Sequence, residues 1–125
     1  MWTQLTYVML GGAFGAGARF LAGLGVIRLV GTGFPLAIIT VNVVGSFLMG
    51  LFVVLAAHRG LAHLSPLVMT GFLGEFTTFS AFSLETVTLF ERGQIGQAAL
   101  YVALSVGLSI AGLIAGLWLA RGIVA

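Results

Sequence analysis

The chain is expected to fold as an all-α membrane protein of four transmembrane helices, the third broken near its middle. Three observations predict this. Hydrophobic residues make up 60% of the sequence and charged residues only 6%, where a soluble domain carries about 25% charged residues, and the mean hydropathy is +1.20. Four apolar stretches each reach the ~20 residues that cross a bilayer core as helix. One of the four, the third, concentrates hydroxyls, glycines and a carboxylate along its middle.

The first stretch, residues 5–24, is uncharged up to Arg19. It has no basic leader and no small-residue cleavage site, so it reads as a retained helix rather than a signal peptide. The second, 36–57, follows Pro35 and carries no charge. The third, 65–90, opens at Ser65-Pro66 and contains Glu75 and Glu85. The fourth, 97–120, is again uncharged. The connectors "GTGFP", "HRGLAH" and "ERGQ" are short. With no linker and no internal repeat, residues 1–125 read as one four-helix domain.

Net charge is +2 and all five basic residues are arginines, spread too widely to form a nucleic-acid face. Zero cysteines exclude disulfides and thiolate metal sites. His58 and His63 flank a short loop and read as interface residues. No nucleophile–base pair, metal cluster or nucleotide motif is present, so the reading is not an enzyme. Orientation in a membrane follows basic residues in short loops. Arg59 and Arg121 fall on one side, and Arg28 and Arg92 on the other, joined by Arg19 if it snorkels that way. So small a bias predicts insertion both ways, which permits an antiparallel homodimer. Small residues four apart allow close helix packing: Gly11/Gly15, Gly12/Ala16, Ser46/Gly50 and Gly112/Gly116. These pairs serve equally well within one subunit or between two.

Polar groups inside a bilayer are costly and therefore face a partner, a cavity or a pathway. Asn42 lies about two turns into the second stretch. Tyr101, Ser105 and Ser109 recur every four residues and share one helix face over roughly 12 Å. In "GFLGEFTTFSAFS" (71–83), Gly71 and Gly74 followed by Thr77, Thr78, Ser80 and Ser83 read as a helix that breaks and restarts. Such breaks hold ions, cations at freed carbonyls and anions at N–H groups. Phe79 and Phe82 share a face after the break, and aromatic edges are electropositive, so the pair suits a small anion.

The stretches "GGAFGAGARF" (11–20), "TVNVVGSFLMG" (40–50) and "GFLGEFTTFSAFSLE" (71–85) resemble the Fluc/CrcB fluoride channels over the whole chain. The resemblance implies a passive, fluoride-selective channel with two pores in a dual-topology antiparallel homodimer. It would sit in the plasma (inner) membrane of a prokaryote and lower fluoride toxicity by export. Asn42 matches a pore-lining position, and Phe79 and Phe82 match two rings that face fluoride edge-on. Tyr101, Ser105 and Ser109 match a polar track, to which the hydroxyls of Thr78, Ser80 and Ser83 are added. Gly74 and Thr77 match a break whose backbone carbonyls hold a structural sodium ion at the dimer interface. Arg19 matches a pore-entrance arginine and Glu85 an acid on the third helix. Partners so implied are fluoride, lipid and a second copy, with no nucleic acid and no nucleotide.

Two features depart from that pattern. Glu75 stands where the family usually has a small residue, beside the expected cation site. It would alter that site, or else face a vestibule or pair with Arg19. "LAIITVN" (36–42) stands where Gly-Thr-Leu often precedes Val-Asn, removing one hydroxyl from the entrance. The strongest rival reading is a small-multidrug-resistance-type cation exporter, which relies on a glutamate in its first helix; the first stretch here has no acid.

Overall fold

A computed structural model describes the whole chain, Met1–Ala125. Helix α1 spans Trp2–Val30 and α2 spans Leu36–Arg59. The third crossing is built in pieces: a 3-10 turn at Ala62–Leu64, a π-helical stretch at Pro66–Leu73, the single turn α3 at Gly74–Phe76, and α4 at Phe79–Glu91. Helix α5 spans Ile95–Val124. The four crossings are each long and apolar enough to traverse a membrane, as expected for a multi-pass membrane protein.

The helices run past the apolar stretches, because hydropathy marks where lipid ends and not where helix ends. Glycine supplies the stops. Gly31, Gly60 and Gly93 are the three residues with positive φ, a conformation open to glycine at little cost. After α2, Gly60 turns left-handed (φ 69°, ψ 28°) and Leu61 N–H closes on Ala56 O at 2.8 Å. That bond satisfies a carbonyl left over at the helix end.

Lipid removes the hydrophobic drive for helices to associate, so packing rests on close backbone approach. Two seams show it. Helices α2 and α5 meet where Gly50 faces Gly116: a Cβ on Gly116 would lie 3.0 Å from Leu51 N and 3.2 Å from Gly50 Cα, and would collide with Phe47 O. Helix α1 meets the π-helical stretch where a Cβ on Gly71 would lie 2.8 Å from Val8 O and 3.0 Å from Gly11 Cα. Gly15 closes the same seam against Phe72. The pairs Gly11/Gly15 and Gly112/Gly116 therefore act inside one chain. A small core, Ile39, Leu89, Ala98 and Tyr101, ties α2, α4 and α5 together. The large side chains turned outward include Phe20, Leu21 and Trp118, all at least 66% exposed, as a lipid-facing surface requires.

Gly116→Val is expected to destabilise the protein by about 1–3 kcal/mol through overpacking at the α2–α5 seam, read by thermal unfolding in detergent. Gly17→Ala, where an added Cβ meets nothing within 4 Å, should leave the transition in place. Equal melting of the two variants would contradict the seam.

Candidate functional site

The break in the third crossing lies at Thr77 and Thr78, inside the run where it was expected. Gly74 stays helical (φ −61°, ψ −36°), and Gly71 is spent on contact with α1. Thr77 (φ −86°, ψ 157°) and Thr78 (φ −149°, ψ 119°) are both extended, a geometry that β-branched residues accept readily. Thr77 still closes the last turn, its N–H reaching Leu73 O at 3.1 Å and its hydroxyl donating to the same carbonyl at 2.9 Å.

Thr78 is held from the side. Its N–H donates to Asn42 Oδ1 at 2.7 Å, and its carbonyl accepts from Asn42 Nδ2 at 3.1 Å. The amide thus does for Thr78 what a neighbouring strand would do in a sheet, and the pairing fixes which way the amide points. Thr78 Oγ1 then caps α4 by accepting from Ala81 N–H at 3.2 Å, a standard helix N-cap. Carbonyls before the break lose their helical donors as a result. In an unbroken helix Thr78 N–H would close on Gly74 O and Ala81 N–H on Thr77 O; both donors point elsewhere. No group of three His, Cys, Asp or Glu side chains that could hold a metal ion is present.

Beside the break an open cavity of about 330 Å³ is lined by Asn42, Ser46, Thr77, Thr78, Phe79, Phe82, Ser105 and Ser109, with apolar neighbours from α2 and α5. Phe79 is 78% exposed, and its ring centroid lies 5.4 Å from that of Phe82 at 51°. Phe82 in turn stacks on Tyr101 (5.5 Å, 29°). Ser105 Oγ and Tyr101 Oη are buried one turn apart and, apart from each other, have no hydrogen-bond partner. A family model described as CrcB-like protein, Camphor Resistance (CrcB), matches residues 6–117, which takes in all four crossings.

The chain belongs to the CrcB family.

Similar CrcB relatives carry the name fluoride-specific ion channel FluC. One from Roseobacter denitrificans is 71% identical over 122 residues, covering 96% of this chain and 97% of its own. Another from Ruegeria sp. is 68% identical over 117 residues, 93% of each chain. A third from Jannaschia sp. is 83% identical over 96 residues, 77% of this chain and 91% of its own.

Not every expected residue of this CrcB chain gathers at the cavity. Ser83 is exposed and its hydroxyl bonds back to Phe79 O at 3.0 Å; Ser80 lies 3.3 Å from Thr78 Oγ1. Neither lines the cavity, and nor does Tyr101, which is fully buried beyond Phe82. Arg19 is half-buried on α1 with its Nε unpartnered, so the alternative of a Glu75–Arg19 pair finds no bond through that nitrogen. Glu75 is exposed, its Cγ 3.3 Å from where a Cβ on Gly12 would sit. Glu85 is half-buried on α4. Conversely, Gly45 and Ser46 line the cavity without having been singled out for it. A Cβ on Gly45 would lie 3.2 Å from Phe76 Cδ2 and collide with Thr77, so its absence lets α2 reach the break. Their spacing of three and four from Asn42 puts them on its helix face, which was the available signal.

Asn42→Leu should cost about 2–5 kcal/mol, since each polar group of Thr78 left unpaired costs ~1–3 kcal/mol. Asn42→Asp keeps the acceptor for Thr78 N–H and should cost less. Unfolding titrations check both; stability unchanged in both would mean that the pairing does not hold the break.

Proposed function

We propose that this CrcB protein is a passive, selective fluoride channel that exports fluoride from the cytoplasm and lowers its toxicity. The observation that carries the reading is the cavity beside the break, which gathers Asn42, Ser105, Ser109 and the Phe79–Phe82 rings. The printed name of the relatives supports fluoride as the ion.

Fluoride is small and strongly hydrated, so a pore must replace its water with donors. Asn42 carries two N–H donors and spends one on Thr78 O, leaving one for the cavity. Ser105 and Ser109 line the cavity from α5 and add hydroxyls one turn apart. Ring edges of Phe79 and Phe82 add weak positive potential without a full charge. None of these groups is a cation, so the ion is solvated yet released, which conduction requires. No acid stands in α1 to couple transport to protons, so flow follows the gradient.

The working unit in this reading is a dual-topology antiparallel homodimer in a prokaryotic inner membrane. Glu75 and Phe79, exposed in the single chain, support a second copy, because a carboxylate facing lipid is costly. The carbonyls of Gly74 and Thr77 would hold a structural sodium ion between the copies, fixing the breaks by charge–dipole attraction. Glu75 adds a negative charge one residue from Gly74 and strengthens cation binding.

Liposomes loaded with fluoride or chloride should empty fast of the first and slowly of the second. Ser105→Ala should slow fluoride efflux roughly fivefold to tenfold, the equivalent of one lost hydrogen bond of ~1 kcal/mol or more. Absence of fluoride flux from folded protein would overturn the channel reading. Glu75→Gly should raise the sodium concentration at which sodium protects the protein against thermal unfolding; an unchanged sodium dependence would remove Glu75 from the cation site.

A further inference from the structure

The hydroxyl track on α5 is open at one end and shut at the other. Ser105 and Ser109 line the cavity, but Tyr101, one turn nearer the start of α5, has 0% exposure. The ring of Phe34 meets Tyr101 edge-to-face, centroids 5.7 Å apart at 80°. Phe82 stacks on its other side, and the remaining neighbours, Ser105 and the apolar Ile38, Ile39 and Leu89 among them, are built on helices. Phe34 differs because it belongs to the α1–α2 loop, Gly31–Pro35. Gly31 and Gly33 there have open space around them, and Gly31 has φ 82°. A tight turn holds the loop to α2, with Leu36 N–H on Phe34 O at 2.7 Å. Phe34 is thus carried by a glycine-flanked loop, whereas the other residues around Tyr101 are carried by helices.

We infer that Phe34 closes the far end of the hydroxyl track over Tyr101 and is the positioning residue that limits passage there. An apolar constriction passes ions only when it wets or moves aside, so the ring also sets which ions leave by that end. This rests on the channel reading above.

The test uses the full chain with Phe34→Ala and Phe34→Leu. Phe34→Ala should raise fluoride efflux from liposomes several-fold and make chloride efflux measurable, with Phe34→Leu falling between it and the parent. A second readout does not depend on transport. The chain has two tyrosines, Tyr7 and Tyr101, so 3-fluorotyrosine labelling gives two fluorine resonances, assigned with Tyr7→Phe. The Tyr101 resonance should show little shift between H₂O and D₂O in the parent and a clear shift in Phe34→Ala. Slower fluoride efflux, or flux and isotope shift both unchanged, overturns the assignment. If the parent itself carries no fluoride, the channel reading fails, and the isotope shift alone decides whether Phe34 covers Tyr101.

Discussion

Asn42 reaches from α2 to Thr78 and satisfies both of its main-chain polar groups. A helix that stops inside a membrane leaves N–H and C=O groups with no water to bond, and each such group costs several kcal/mol. One amide side chain removes that cost at the point of the break. It also determines which oxygens are set free, because the N–H that Asn42 takes is the one Gly74 O would have accepted. The break, the restart of α4 at Phe79, and the direction in which the Phe79 and Phe82 rings face all follow from this pairing.

The pairing is possible only because the surrounding helices come unusually close. Gly45 lets α2 approach Thr77 and Phe76, and Gly50 opposite Gly116 brings α5 against α2. The hydroxyls of α5 are thereby carried to the same cavity as Asn42. Gly71 against Gly11 anchors the part of the third crossing that precedes the break. In water such seams would be driven by apolar burial; in lipid they rest on contact between backbones, which is why glycine and not leucine occupies them.

The four crossings were legible because the cost of charge in lipid leaves a long, largely apolar stretch for each. The polar residues of the cavity were legible for the same reason: Asn42, Ser105 and Ser109 stand out against an apolar background, Phe79 and Phe82 were marked by their shared face and the family resemblance, and structure brings them together. The region of the break was legible too, since Gly74 and Thr77 were both named at it; what the sequence left open was which residues leave the helix. Gly71 and Gly74 remain helical, and Thr77 and Thr78 are extended, for a reason that lies 36 residues away at Asn42. The Ser83 hydroxyl bonds to its own helix.

Composition and periodicity alone therefore determined that the chain crosses a membrane four times, that its third crossing is irregular, and which side chains are too costly to face lipid. Those properties depend on single residues meeting a uniform solvent, so they can be read one position at a time. Only the tertiary structure decided which residues leave the third helix, which hydroxyls are consumed by backbone, and that Phe34 lies against Tyr101. Each of these depends on a partner distant in sequence and on backbone approach within a few ångströms, which no local pattern encodes.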